Sequence, residues 1–146
     1  MTTQSSICAS IDRKTRFVRL VKMKRYTALE MSRAFVESCS PLQNAGLLKK
    51  ITYDNGKENS KHQKTNDILK THSFFARPCK SCDKGSIEQC IGLVRRFLPK
   101  KTDFSLISQN KWNTISQHLN SRPRKCLGFR SPIEALALHF GVALTH

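Results

Sequence analysis

The chain has 146 residues, and its 26 Lys and Arg against 10 Asp and Glu give a formal net charge of +16. That length holds one domain with a sizeable core, and 38% hydrophobic with 25% charged residues excludes a disordered chain. So positive a field excludes cationic ligands and points to a polyanion, nucleic acid first.

Residues 5–12 and 16–23 read as two strands around a turn at Asp12-Arg13-Lys14-Thr15. From Arg13 to Arg25 cations interleave with apolar residues, which suits a strand with one buried and one basic face, or an edge strand protected by charge. Thr27 is placed to cap a helix to about Ser38, with Leu29, Phe35 and Val36 towards a core and Pro41 beyond its end. A short strand over 48–53 stops at Asp54-Asn55-Gly56, a turn signal; a polar helix over 60–70 and a strand over 72–77, ended by Pro78, follow. Ile87, Cys90, Ile91, Val94, Phe97 and Leu98 have helical spacing and predict a helix over 86–98. A second helix is expected over about 105–119, carrying Leu106, Ile107, Trp112, Ile115 and Leu119, and Ser131-Pro132 starts a last one with Glu134 in its first turn.

No stretch approaches the roughly 18 apolar residues of a membrane span. The first eight residues lack the basic and apolar segments of a signal peptide, so a cytoplasmic protein with reduced cysteines is expected. Cys79-Lys80-Ser81-Cys82 is a lone C-x-x-C; Cys8, Cys39 and Cys126 are too scattered to complete a zinc site, and ordinary free thiols are favoured. His118, His139 and His146 have no ligand-like spacing.

Two carboxylates lie where chemistry gathers. Asp54 closes a strand, and in open α/β sheets ligands bind beyond the carboxyl ends of strands. Glu88, in the first turn of the 86–98 helix, would be held ionised by the helix dipole, the form a hard metal ion needs. Gly92 leaves the same face open one turn on, and Arg95 and Arg96 follow as phosphate holders. Spacing alone favours the plainer reading, an Asp in a turn and a Glu at a helix start.

Further blocks carry a resemblance. They are Tyr53-Asp54-Asn55-Gly56-Lys57-Glu58, Phe75-Ala76-Arg77-Pro78, Gly85-Ser86-Ile87-Glu88, and Gly92-Leu93-Val94-Arg95-Arg96-Phe97-Leu98-Pro99-Lys100. Asp12-Arg13-Lys14-Thr15-Arg16-Phe17 precedes them, and Thr102-Asp103-Phe104-Ser105 and the run Leu119 to Pro132 follow. In order, and over about residues 7–140, these resemble the integrase-like catalytic core of bacterial insertion-sequence transposases of the family numbered thirty.

The resemblance implies a ribonuclease-H-like α/β fold, a mixed sheet flanked by helices, spanning residues 1–146 as a partial core domain. It implies an Asp-Asp-Glu site in which Asp54 is the second Asp and Glu88 the Glu, with 33 residues between them. Such a site holds two Mg²⁺ (or Mn²⁺) ions, roughly 4 Å apart, that polarise the scissile phosphate and activate water or a DNA 3′-hydroxyl. The family's helix-turn-helix region, first strand and first catalytic Asp would fall upstream of Met1, so the chain reads as an N-terminally truncated core. Asp12 matches instead the acidic residue that begins a turn.

Cys79 and Cys82 stand where the family has Tyr and Trp, Asn59 replaces an aromatic, and Ile87, Gln89 and Ile91 replace Asn around the Glu. These departures read as decay of the site. Lys57, Arg77, Lys84, Arg95, Arg96, Lys100, Lys101, Arg122, Arg124 and Lys125 lie in the family blocks and suit phosphate contacts that need no metal. Two expectations follow: a DNA-cleaving and strand-transferring transposase core, inactive as this fragment, or a non-catalytic DNA-binding remnant. Either acts on DNA at the nucleoid, with room for a homo-oligomer or co-assembly with an intact transposase.

Overall fold

The structure is a computed structural model that describes residues 6–77 and 81–141, without the side chains of 81–84. β1 (Ser6–Ile11) and β2 (Val18–Met23) pair antiparallel, from Ser6 opposite Met23 to Ile11 opposite Val18. Asp12 makes the turn between them: its carboxylate accepts from the Thr15 N–H at 2.8 Å and its carbonyl from the Arg16 N–H at 2.8 Å. An Asp bonded to backbone two or three residues on is a turn-forming group, as the sequence expects of Asp12.

α1 (Ala28–Asn44), α2 (His62–Leu69), α3 (Ser81–Val94), α4 (Gln109–Ser121) and α5 (Pro132–Phe140) flank these strands and a second pair, β3 (Lys50–Tyr53) and β4 (His72–Phe75). β3 and β4 run parallel, Lys50 beside His72 and Tyr53 beside Phe75. Among the described residues the two pairs form separate two-stranded sheets.

β2 is covered on both faces, so it does not present the expected basic face. Val18 and Leu20 enter one core with Cys90 and Val94 of α3 and Trp112, Ile115 and Leu119 of α4. Val21 and Met23 face the other way, against Ala34 of α1. Fully burying one such side chain stabilises by about 1.5–3 kcal/mol, more than an exposed cation gains. Arg19 and Lys22 are therefore half-buried; burial holds the Arg19 guanidinium below its usual range, and the Lys22 ammonium donates to the Ser105 and Ile107 carbonyls at 2.9 and 2.7 Å.

α1 spans both sheets. Phe35 packs against the β2 core and against a third cluster of Cys39, Ile51, Tyr53 and Leu69. Hydroxyl pairs tie the helix down, Ser10 to Ser38 at 2.6 Å and Ser32 to Thr65 at 2.7 Å. Thr27 caps it as expected, accepting from the Glu30 N–H at 3.2 Å. The helix runs to Asn44 with Pro41 inside it, past the expected end at Ser38, while Ser40 donates back to the Val36 carbonyl at 2.5 Å. Leu29 points to solvent, 53% exposed, rather than to a core.

α3 starts at Ser81 and ends at Val94, five residues earlier at its start and four at its end than the apolar spacing predicts. Cys90, Val94 and Leu98 are buried, whereas Ile91 and Phe97 are each 43% exposed. α4 begins only at Gln109, capped by Ser108; Leu106 lies in a separate short turn and is 85% exposed. α5 starts as expected, with Ser131 and Glu134 in a reciprocal capping box.

Asn120 is buried between α4 and β2. Its amide accepts from the Val18 N–H and donates to the Val18 carbonyl, both at 2.8 Å. Replacing it strands the buried Val18 N–H, at a cost of about 1–3 kcal/mol, while Ser116 still donates to the Val18 carbonyl at 2.8 Å. Asn120→Ala should thus lower the unfolding free energy by about 1–3 kcal/mol in urea titrations followed by circular dichroism; a loss below about 0.5 kcal/mol would contradict the clamp.

Candidate functional site

Asp54 follows β3 directly, at the carboxyl end of a parallel pair, where N–H and carbonyl groups run out of ladder partners. The pairing continues just past the strands: the Ala76 N–H donates to the Tyr53 carbonyl at 2.7 Å, and the Asn55 amide to the Ala76 carbonyl at 2.8 Å. Rings brace this end, with Tyr53 4.9 Å from Phe35 and 5.9 Å from Phe75, and His62 4.8 Å from Phe75 between centroids. Asp54 is exposed beside this braced end.

Asn59 is buried, and its amide donates to the Asp54 carbonyl at 3.1 Å and towards its carboxylate at 3.4 Å. The position that reads from sequence as a lost aromatic thus holds Asp54 in place. Glu58 folds back over Gly56, where a Cβ would meet its carboxylate. With Asp54 it acts electrostatically on the hydroxyl of Tyr26, in the connection from β2 to α1. The Tyr26 hydroxyl is pushed up to about 12, first by desolvation, then by Glu58 and by the charge of Asp54. Tyr26 carries no sequence signal for this place, since only the crossing of two distant connections brings it there. Glu58 sits in the D-N-G-K-E run, but the sequence assigns it no role there.

Glu88 lies two turns into α3, so the dipole at a helix start does not act on it as expected. It is exposed, as are Gly92 and Arg95 on the same stripe, and a Cβ at Gly92 would meet open space. Among the described residues no group of three or more His, Cys, Asp or Glu side chains gathers to hold a metal ion. Asp54 and Glu58 offer the oxygen donors that Mg²⁺ takes, but Glu88 does not join them in one cluster. Among the described residues the donor set is incomplete for two ions.

Of the cations singled out, Lys57 is exposed on a short turn after Asp54, and Arg77 is exposed just past β4. Arg95, Arg96, Lys100 and Lys101 are exposed after α3; Arg122 and Lys125 are exposed and Arg124 half-buried after α4. The Lys84 side chain and Cys79 lie outside the described residues, as does the Cys82 side chain. Cys8, Cys39, Cys90 and Cys126 are free thiols. No helix among the described residues is long and apolar enough to cross a membrane.

A scan of protein-family profiles gives no match. The chain is 36% identical over 134 residues to the transposase for insertion sequence element IS1086 of Cupriavidus metallidurans, covering 92% of this chain and 39% of that protein. It is 31% identical over 144 residues to transposase InsI for insertion sequence element IS30A of Escherichia coli, covering 99% and 37%. By sequence the chain is similar over most of its length to transposases of insertion sequence elements, IS30A and IS30C among them. It spans about two fifths of the length of these relatives.

Solved structures show the fold. The catalytic core domain of BIV integrase superposes with a TM-score of 0.68 at 13% identity, covering 97% of this chain and 98% of that one. The HTLV-2 integrase catalytic core, solved in complex with magnesium in a trimeric form, gives 0.61 at 18% identity over 90% and 93%. An integrase chain in the simian T-cell lymphotropic virus intasome gives 0.69 at 19% identity over 98% and 55%. The chain has the ribonuclease-H-like fold of an integrase catalytic core.

The protein has two tyrosines, and both hydroxyls lie at about 12, Tyr53 chiefly through burial. An ultraviolet titration should therefore show no phenolate step near 10, and Glu58→Gln should bring one of the two steps down towards 10. Because the folded state holds these protons while the unfolded chain releases them near 10, stability should fall as pH rises from about 10 to 12. A Tyr26 step unmoved by Glu58→Gln would remove Glu58 from the site.

Proposed function

We propose that this chain is the catalytic-core portion of a DNA transposase, working on the DNA of element ends and target, and that the 146-residue chain alone binds DNA without joining strands. The observation that carries the proposal is the identity of 30–36% to insertion-sequence transposases over most of the chain, combined with Asp54 at the carboxyl end of the parallel pair. Cleavage and strand transfer on such a fold are phosphoryl transfers, in which the protein's work is positioning and charge stabilisation.

Within that reading Asp54 and Glu88 correspond to two of the site's carboxylates and would hold a divalent Mg²⁺ or Mn²⁺, which would supply Lewis-acid chemistry at the scissile phosphate. Asn59 positions Asp54, and Tyr26 with Glu58 borders it. The exposed cations after α3 and α4 hold phosphate. The lack of a three-carboxylate cluster among the described residues supports a non-joining chain. Location with DNA in the cytoplasm, and assembly of copies on DNA, complete the reading; an intasome and a trimeric core among similar folds support the assembly.

The test is to incubate the chain with labelled element-end duplexes and Mg²⁺ or Mn²⁺. A salt-sensitive gel shift with no joined product is expected. Joined products that vanish in Asp54→Ala and Glu88→Ala would overturn the claim of a non-joining chain. No shift at low salt would overturn DNA binding.

A further inference from the structure

A cleft of about 570 Å³ opens between α3 and the turn after α4. Arg96, Arg122, Arg124 and Lys125 line it over a floor that includes Leu93 and Leu119, with no carboxylate in the lining. Among the described residues none of these four cations is in an ion pair.

The turn that carries three of them is firmly built. Arg124 bonds Arg130 and Phe129 through backbone at 3.0 Å each, its guanidinium donates to the Leu119 carbonyl at 3.3 Å, and Gly128 takes a left-handed φ of 63°. Cations held by fixed backbone lose less entropy on binding than cations on a loose loop.

The cleft also has a direction. Gln89, Leu93 and Arg96 line it from one stripe of α3, and Glu88, Gly92 and Arg95 form the adjacent stripe, open at Gly92. Phosphodiesters spaced along a strand match several fixed cations better than a single small anion does.

We infer that this cleft is a metal-independent anchor for the phosphodiester backbone of DNA, set beside the Glu88 face and separate from the carboxylates. It rests on the reading that this chain binds DNA. Cys126 is an exposed thiol on the cleft wall, whereas Cys8, Cys39 and Cys90 are buried, and thiols need access to react. Cys126 is therefore a reporter inside the cleft.

The experiment follows a maleimide reagent by peptide mapping, in EDTA, with and without a duplex oligonucleotide or inorganic tripolyphosphate. Anisotropy gives DNA affinity against salt for the wild type and for Arg96→Gln/Arg122→Gln/Lys125→Gln, with circular dichroism to check folding. Expected are at least fivefold slower labelling of Cys126 with duplex, and at least tenfold weaker DNA binding by the folded triple variant. The slope of log K against log salt should be shallower by about 3. Wild-type affinity in the variant and unprotected Cys126 would overturn the anchor while leaving DNA binding intact. Protection by tripolyphosphate but not by duplex would make the cleft a site for free polyphosphate and also overturn it. Absence of any DNA binding would defeat the underlying reading instead.

Discussion

The fold depends on how α4 satisfies the outer edge of β2. The backbone groups of Val18, Leu20 and Lys22 that point away from β1 meet no further strand; they meet side chains of a helix. Asn120 takes both groups of Val18, Ser116 donates to the Val18 carbonyl at 2.8 Å, and Gln109 accepts from the Lys22 N–H at 2.8 Å and donates to the Leu20 carbonyl at 2.9 Å. Residues 109, 116 and 120 share one stripe of α4, and the neighbouring stripe buries Trp112, Ile115 and Leu119. One helix thus closes an edge that would otherwise invite pairing with another chain, and fills the core beneath it.

That single docking sets much else. With α4 fixed along β2, the turn after it is brought against the end of α3, and this apposition forms the cationic cleft. Lys22 is absorbed in holding the 105–107 segment, and Arg19 is pressed under α1 beside Phe17, 5.5 Å from the ring centroid. Within the densest basic run Arg19 and Lys22 are thereby half-buried, while Arg13, Lys14, Lys24 and Arg25 at its two ends stay exposed. The carboxylates depend on a different device, the parallel pair β3–β4 and the rings that brace its end.

Most element types were legible because periodicity and caps are local. Thr27, Ser131 with Glu134, and the Asp12 turn act within four residues of themselves, and each performs its expected role. Boundaries were less legible where an exposed residue shared the apolar spacing, as Ile91, Phe97 and Leu106 do. Pro41 failed as a stop because α1 is held by packing on two cores, which outweighs one lost helical hydrogen bond. Asn59 was misread for a related reason: its amide acts on a carbonyl five residues back, a contact that a change of residue type does not announce.

The sequence by itself determined the likeness to insertion-sequence transposases, the α/β class, the net charge of +16, and Asp54 at a strand end. Motif order and net charge are properties of the chain, and survive without coordinates. Tertiary structure alone decided which cations are free, because a Lys or Arg facing a helix is lost to solvent whatever its neighbours in sequence. It also decided that Tyr26 and Glu58 border Asp54, that Glu88 lies mid-helix, and that Arg96 meets Arg122, Arg124 and Lys125 around one cleft. Those are meetings between distant segments, fixed by burial of apolar surface and closure of backbone hydrogen bonds rather than by local pattern.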